Sequence, residues 1–262
     1  YLAPGLSAVF SEHAFAVYPI VTQAVGAQAR VVPAKNWGHD LPAMLKAIDD
    51  RTRVVFIANP NNPTGTWFGA GELDEFLQDV PAHVLVVLDE AYIEYAEGSD
   101  LPDGLDFLAA YPNLLVSRTF SKAYGLAALR VGYGLSTPVV ADVLNRVRQP
   151  FNVNSLALAA ACAALEDVDY LAESRRLNEA GMQQLEAGFG DLGLSWIPSK
   201  GNFIAVDLGR EAAPIFQGLL REGVIVRPVA NYGMPNHLRI TIGLPAENTR
   251  FLEALAKVLA RA

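Results

Sequence analysis

The first half of the chain alternates short apolar runs with segments of helical spacing. Continuous apolar runs, typical of strands that are buried on both faces, occupy residues 53–58, 84–88 and 114–116. Between the first two, the apolar positions of residues 71–80 recur at i, i+3, i+4 and i+7, which predicts an amphipathic helix. This alternation predicts an α/β fold with a mostly parallel sheet that is sandwiched by helices.

Shorter segments extend the pattern toward the start of the chain. Residues 8–10 and 29–32 are apolar or β-branched and are predicted as strands, and residues 14–25 are predicted as a helix. A second helix is expected over 41–48, where Asp40 is a plausible cap.

The regular alternation of strand and helix patterns ends near Pro138. The second half of the chain is predicted to be a smaller α+β unit. We therefore predict two domains, residues 1–150 and residues 151–262. The expected helices are 139–147, 156–165, 170–189, 214–222 and 247–260, and the expected strands lie within 195–208, 224–228 and 238–242.

Composition narrows the classes of function. The 262 residues are 52% hydrophobic and carry 20 basic and 28 acidic side chains, a net charge of −8, so nothing in the charge favours nucleic acid. No apolar run reaches the ~20 residues of a membrane helix. The single cysteine, Cys162, excludes an internal disulfide, and we expect it to be an inert core thiol in a cytoplasmic protein.

Polar residues follow two of the predicted strands directly. The loop Asn59–Gly65 follows the strand 53–58, and Asp89 follows the strand 84–88. Ligands bind at the carboxyl ends of strands in parallel sheets, so both lie where a site is expected. Plain turn chemistry would also explain the loop, and a helix cap would also explain Asp89.

A lysine with polar neighbours follows the strand 114–116. Lys122 has hydroxyls at Thr119 and Ser121 on one side and Arg130 on the other. Hydroxyls and a guanidinium suit a phosphate, and desolvation can leave a lysine neutral and nucleophilic toward carbonyls. The combination suggests an aldehyde cofactor that carries a phosphate, which pyridoxal phosphate fits; an ordinary surface lysine is the alternative.

Four blocks in order carry a resemblance to a known family. They are Asn59–Gly65, Asp89–Tyr92, Thr119–Gly132 and Leu238–Gly243. With them the sequence resembles the fold-type I pyridoxal-phosphate aminotransferases, most closely the histidinol-phosphate aminotransferase branch. The resemblance extends over essentially the whole chain. It implies transfer of an amino group from histidinol phosphate to 2-oxoglutarate, a step of histidine biosynthesis.

The resemblance also implies roles for individual residues. Lys122 would bind the cofactor covalently and move the substrate proton, while Asp89 would bind the pyridine nitrogen. Tyr92 and Asn62 would hold the phenolic oxygen. The cofactor phosphate and ring would be held by Thr119, Ser121, Arg130 and, less closely matched to the family pattern, the stacking residue Phe15.

Three further residues match substrate-binding positions of the family. Arg239 corresponds to the arginine that binds the anionic group of the substrate, and Arg227 to a second arginine at the substrate phosphate. Asn202 corresponds to a residue near the substrate. Each arginine could instead be a solvated surface charge.

Other functions share these blocks. An aromatic amino-acid aminotransferase and a threonine-phosphate decarboxylase are close alternatives, and a non-catalytic α/β binding domain is an alternative of another class. The family implies a homodimer that uses an amino donor and a 2-oxo acid. The chain starts at Tyr1, so we expect the family's N-terminal arm and phosphate-binding loop to be missing, which predicts weak cofactor binding.

Overall fold

The computed structural model of the protein describes residues 1–96 and 100–261. Its first half contains six strands: β1 (Ser7–Ser11), β2 (Gln28–Val32), β3 (Thr52–Ala58), β4 (Leu85–Asp89), β5 (Leu114–Thr119) and β6 (Gly132–Leu135). They form one sheet in the order β2-β1-β3-β4-β5-β6. The first five strands are parallel, and β6 runs antiparallel to β5. The predicted fold class is confirmed.

Helices cover both faces of this sheet. They are α1 (Val17–Ala24), α2 (Leu41–Lys46) and α3 (Ala70–Asp79). Successive side chains of a strand point to opposite faces, and β1 shows the consequence. Its Val9 joins a core cluster with α2 and α3, whereas Ala8 and Phe10 join a second cluster with Tyr18 of α1. Asp40 caps α2, as predicted, by accepting the Ala43 amide at 3.0 Å.

The second half contains an antiparallel sheet and the remaining helices. Its strands are β7 (Ser195–Ile197), β8 (Phe203–Asp207), β9 (Arg227–Pro228) and β10 (His237–Thr241), in the order β7-β8-β10-β9. The helices are α4 (Pro138–Val147), α5 (Ser155–Glu166), α6 (Val168–Asp191), α7 (Ala212–Arg221) and α8 (Pro245–Leu259). A core cluster joins α6, α7 and α8 to this sheet. The boundary near residue 150 stays a prediction.

Apart from shifts of helix ends, the structure differs from the sequence prediction in three places. The strand β6 was not predicted, because its Gly-Tyr-Gly-Leu sequence lacks an apolar run. The strand expected over 224–228 is reduced to Arg227–Pro228. Cys162 is exposed, so the expected core thiol was wrong. The buried positions of helix α5 are Ala157 and Ala161, which lie on one face of the helix. Cys162 directly follows Ala161 and therefore lies on a different face, away from the buried side.

The two sheets meet at the loop that follows β3. The Lys200 amide donates to the Gly65 carbonyl at 3.0 Å. Gly65 has a φ of +78°, and a Cβ at this position would lie 2.0 Å from Ser199 Oγ and 2.9 Å from Ser199 Cα. Only a residue without a side chain permits this close approach. In the described residues, no helix is long and apolar enough to cross a membrane.

Candidate active site

The carboxyl ends of β3, β4 and β5 open onto a cavity of about 370 Å³. All eight residues expected to bind the cofactor line it: Phe15, Asn62, Asp89, Tyr92, Thr119, Ser121, Lys122 and Arg130. They come from the segment before α1, the loop after β3, the end of β4 and the turn after it, and the end of β5 and the segment after it. The parallel pairing of β1, β3, β4 and β5 brings together residues that are more than one hundred positions apart, such as Phe15 and Arg130.

Asp89 is the last residue of β4, and both of its carboxylate oxygens are hydrogen-bonded. The hydroxyl of Tyr18 donates to Oδ2 at 2.8 Å, and the Ala91 amide donates to Oδ1 at 3.2 Å. Burial raises the pKa of Asp89, whereas these two hydrogen bonds and the charge of Lys122 oppose the rise. The neighbours of Asp89 therefore favour its ionised form and partly offset the effect of burial.

Lys122 lies above the ring of Tyr92, with Nζ 5.3 Å from the ring centroid. Burial lowers the pKa of Lys122, and the positive charges of Arg239 and Arg130 lower it further, while Asp89 acts in the opposite direction. Burial also raises the pKa of Tyr92 to about 12, so its hydroxyl stays protonated at neutral pH. The cavity thus contains an amine with increased nucleophilic character beside a hydroxyl donor.

Hydroxyl and guanidinium groups cluster at the end of the cavity formed by the segment after β5. Arg130 Nη1 donates to Ser121 Oγ at 3.3 Å and to the Ala127 carbonyl at 2.8 Å. Thr119 Oγ1 accepts the Ser121 amide at 3.1 Å. Arg130 is exposed and has a φ of +54°, a left-handed conformation that is uncommon for a residue with a side chain. These donors make this end of the cavity suitable for a phosphate.

Arg239, on the second sheet, contacts the cavity through the lining residue Asn62 but does not line it itself. It lies on β10 and donates through Nη1 to Asn62 Oδ1, and its guanidinium carbon is 4.9 Å from the ring centroid of Phe203. Its Nε is buried and has no hydrogen-bond partner. A buried donor without a partner is costly, so an anionic ligand would complete this site.

None of the three expected substrate residues lines the cavity, and within residues 1–96 and 100–261 Arg227 and Asn202 also make no hydrogen bond to a residue that does. Arg227 is exposed on β9, directly opposite Arg239 in the register of β9 and β10. The carbonyl of Asn202 accepts the Ile242 amide at 2.9 Å, and its side chain acts to lower the pKa of the neighbouring Tyr95. The structure therefore brings Arg227 next to Arg239 and leaves Asn202 engaged with its own neighbours.

A larger cavity, of about 790 Å³, lies between α2, α3 and β7. The residues Trp37, Trp67 and Trp196 line it together with several acidic side chains. None of the eleven expected site residues lines it, so cavity size alone would have selected a different place. In the described part of the chain, no group of three or more His, Cys, Asp or Glu side chains could hold a metal ion.

Comparison with known proteins decides the family. The family model described as "Aminotransferase class I and II" matches residues 1–255. The chain belongs to this family. Its resemblance to aminotransferases, expected from the four sequence blocks, is thereby confirmed.

Two relatives of this aminotransferase share one name. A protein named "Histidinol-phosphate aminotransferase 2" from Pseudomonas fluorescens is 98% identical over 262 residues, which are 100% of this chain and 71% of that protein. A protein of that name from Pseudomonas aeruginosa is 79% identical over 99% of this chain and 70% of its own length. The chain thus spans about seven tenths of these relatives.

A solved structure supports the same relationship. Histidinol-phosphate aminotransferase from Sinorhizobium meliloti, solved in complex with pyridoxal-5'-phosphate, has a TM-score of 0.92 and 35% identity, and the match covers 100% of this chain and 72% of that chain. Aspartate aminotransferase from Thermus thermophilus, with a TM-score of 0.88 and 22% identity, shares the fold over 98% of this chain and 71% of that chain.

Sequence reasoning missed one prominent neighbour of the site in this aminotransferase. Tyr18 is 4% exposed and bonds to Asp89, yet it lies in an apolar helical segment where an aromatic residue is normally a core residue. The signal was its place one helical turn after Phe15. That spacing puts Tyr18 behind the residue expected to contact the cofactor.

Proposed function

We propose that this protein is a pyridoxal-phosphate-dependent aminotransferase that transfers an amino group between histidinol phosphate and 2-oxoglutarate in histidine biosynthesis. The observation that carries the proposal is the convergence of Lys122, Asp89, Tyr92 and the phosphate-binding residues on one cavity. The names of the two Pseudomonas relatives support the choice of substrate.

The donors of the cavity fit this cofactor. One end has hydroxyl and guanidinium donors for a phosphate, and a carboxylate lies at the end of β4. When bound, the cofactor supplies an aldehyde that links to amino groups and a cationic ring that accepts electrons. Thr119, Ser121 and Arg130 would hold its phosphate, and Lys122 Nζ would hold its aldehyde carbon.

Asp89 and the residues around it would hold the ring. A carboxylate stabilises a protonated pyridine nitrogen, and Asp89 accepts two hydrogen bonds that favour its ionised form. Tyr92 and Asn62 line the same cavity and carry donors for the phenolic oxygen. Phe15 lines the cavity and would supply the aromatic surface against which the ring stacks.

Lys122 would also carry the proton in the reaction. A general base works best when its pKa is near the working pH, and burial lowers the pKa of Lys122 from its ordinary value. Its Nζ would accept the proton of the substrate α-carbon and return it to the cofactor. Tyr92 stays protonated at neutral pH and therefore does not compete as a base.

The two arginines support an anionic substrate. Arg227 and Arg239 are register partners, and like charges directly opposite on neighbouring strands are unfavourable. Among the described residues, neither forms an ion pair with a carboxylate. An anion between or beside them would relieve the repulsion. Arg239 would bind the first anionic group of the substrate, Arg227 its phosphate, and Asn202 would lie near the substrate end.

The test compares donors under identical conditions. The full-length protein is assayed with histidinol phosphate, phenylalanine and threonine phosphate, each with 2-oxoglutarate, and glutamate is measured as the common product. We expect turnover of histidinol phosphate to be the fastest. Turnover of phenylalanine without turnover of histidinol phosphate would overturn the choice of substrate, and carbon dioxide release from threonine phosphate would favour a decarboxylase.

A homodimer in the cytoplasm belongs to the same proposal. Residues 149–165 contain no charged side chain, and this run exposes Phe151, Leu156 and Leu158. A contiguous exposed apolar surface favours association, and a second copy of the chain offers the same uncharged surface. Sedimentation of the full-length protein should give a dimer, and Phe151→Glu should shift it toward a monomer. A monomeric wild type would overturn the proposed homodimer. The cytoplasmic location is tested separately, by fractionation of cells.

A further inference from the structure

Tyr18 connects helix α1 to the acid at the end of β4. Its hydroxyl donates to Asp89 Oδ2 at 2.8 Å, although the two residues are 71 positions apart in the sequence. Asp89 receives its other hydrogen bond from the Ala91 amide on its own segment. Tyr18 is therefore the contact that ties the orientation of this carboxylate to a separate element of the fold.

The ring of Tyr18 is itself fixed by other aromatic rings. It stacks on Phe56 of β3 with the centroids 4.8 Å apart and the planes 6° from parallel. It meets the edge of Phe15 at 5.8 Å and 90°, and the Tyr18 amide donates to the Phe15 carbonyl at 3.0 Å. With 4% exposure and these contacts, the hydroxyl has little freedom to leave Asp89.

We propose that Tyr18 is a positioning residue of the active site: it orients the Asp89 carboxylate toward the cavity and stabilises its negative charge, and it couples Asp89 to Phe15. This inference rests on the proposed function, because the negative charge of Asp89 would act there by stabilising the protonated ring nitrogen of the cofactor. Tyr18 does not line the cavity and so acts through Asp89.

The electrostatics of the pair agree with this geometry. Burial raises the pKa of Tyr18 far above its ordinary value, and the nearby Asp89 raises it further, so the hydroxyl remains a donor at every working pH. Burial raises the pKa of Asp89, and the hydrogen bond from Tyr18 lowers it. Removing the hydroxyl therefore shifts Asp89 toward its neutral form.

Three other groups around Asp89 also affect its ionisation. Lys122 favours its ionised form, and the Ala91 amide donates to Oδ1, while a phenolate at Tyr92 would oppose ionisation. A carboxylate has about four lone-pair positions, and two are used by Tyr18 and Ala91. The remaining positions are available to a ligand in the cavity.

The test uses Tyr18→Phe in the full-length protein, since phenylalanine keeps the ring contacts and removes the hydroxyl. The dissociation constant of pyridoxal phosphate is measured by equilibrium dialysis, and the titration midpoint of the Asp89 carboxyl is followed by carbon NMR in protein without cofactor. We expect binding about 10- to 100-fold weaker, as for loss of a hydrogen bond to a charged group, and a higher midpoint.

Tyr111→Phe is the matched control. Tyr111 donates to Asp74 Oδ1 at 2.5 Å, which is the same kind of hydrogen bond at a place outside the cavity. This variant should bind the cofactor as the wild type does. Thermal unfolding of both variants shows whether each is folded.

A double variant separates positioning from general support of the fold. If Tyr18 acts through Asp89, then Tyr18→Phe in an Asp89→Asn background should add little further loss of binding. Additive losses, or an unchanged midpoint and unchanged binding in Tyr18→Phe, would overturn the inference. A wild-type protein that binds no pyridoxal phosphate would instead contradict the proposed function, and the NMR midpoint would still decide the role of Tyr18.

Discussion

Arg227 and Arg239 lie directly opposite each other on the antiparallel strands β9 and β10. Opposite residues of an antiparallel pair point to the same face, so two positive charges share one side of the second sheet. Arg239 is partly buried and bonds to Asn62, while Arg227 is exposed. This difference gives the two residues different expected contributions to substrate binding.

The first prediction separates the two arginines. Arg239→Ala should lower kcat/KM for every amino donor by about 30-fold or more, because loss of a desolvated charge typically costs ~2–5 kcal/mol. Arg227→Ala should harm histidinol phosphate more than phenylalanine. Steady-state kinetics with both donors check this, with the exposed Arg210→Ala as control. Equal small effects of Arg227→Ala on both donors would place Arg227 outside the substrate site.

Lys122 is expected to be indispensable. Lys122→Ala removes both the amine that would hold the cofactor and the base that would move the proton, so transamination should disappear. Borohydride reduction followed by peptide mass spectrometry should find pyridoxal phosphate fixed at residue 122 in the wild type and at no residue in the variant. Lys200→Ala is the control. In the wild type, the Lys200 ammonium lies 5.0 Å from the Trp67 ring centroid, and Lys200 does not line the cavity. Fixation at another lysine in the variant would refute the assignment.

Asp89→Asn tests the charge at the end of β4. Asparagine preserves the shape but cannot stabilise a protonated ring nitrogen, and loss of a close charged partner typically costs a few kcal/mol. We expect a decrease in kcat of about 100-fold or more. Asp74→Asn removes the partner of Tyr111 and should leave kcat unchanged. Wild-type turnover in Asp89→Asn would show that the carboxylate only supports the local backbone.

His39 should make stability depend on pH. Burial lowers the pKa of His39 from 6.5 to about 4, and its Nε2 lies 3.0 Å from the Ala58 carbonyl oxygen. Because the folded-state pKa is the lower one, the unfolded chain takes up the proton first as the pH falls. Stability from the neutral ring is complete above pH 6.5 and is lost between about pH 6.5 and 4.

The corresponding measurement is urea unfolding at two pH values. From the two pKa values, His39 alone should reduce the free energy of unfolding by roughly 2 kcal/mol between pH 7 and pH 5. Glutamine cannot titrate, so the free energy of unfolding of His39→Gln should decrease less between pH 7 and pH 5 than that of the wild type. His83 is exposed, and His83→Gln should show the same decrease as the wild type. Identical pH dependence in wild type and His39→Gln would contradict this.

The sheet and most of the site could be predicted because their signals are local. The apolar runs of β3, β4 and β5 end in Asn59, Asp89 and the segment before Lys122, and parallel strands bring such ends to one edge. Helix ends were less certain: α1 begins at Val17 rather than Ala14. No strong cap marks its start, since Ala16 makes no side-chain cap hydrogen bond.

Contacts between distant segments could not be predicted from local pattern. The hydrogen bond from Tyr18 to Asp89 depends on how α1 packs on the sheet, and the one from Arg239 to Asn62 depends on how the second sheet meets the first. The strand β6 forms because β5 offers a free edge to an antiparallel partner, although its own sequence is rich in glycine. These features follow from tertiary packing, which a single sequence window does not contain.

The close approach at Gly65 limits how this enzyme can be re-engineered. Because part of the contact is to the Cα of Ser199, a glycine at residue 199 would leave a 2.9 Å clash with any side chain at residue 65. A saturation library over residues 59–65 is therefore expected to return only glycine at 65, even when residue 199 is varied with it.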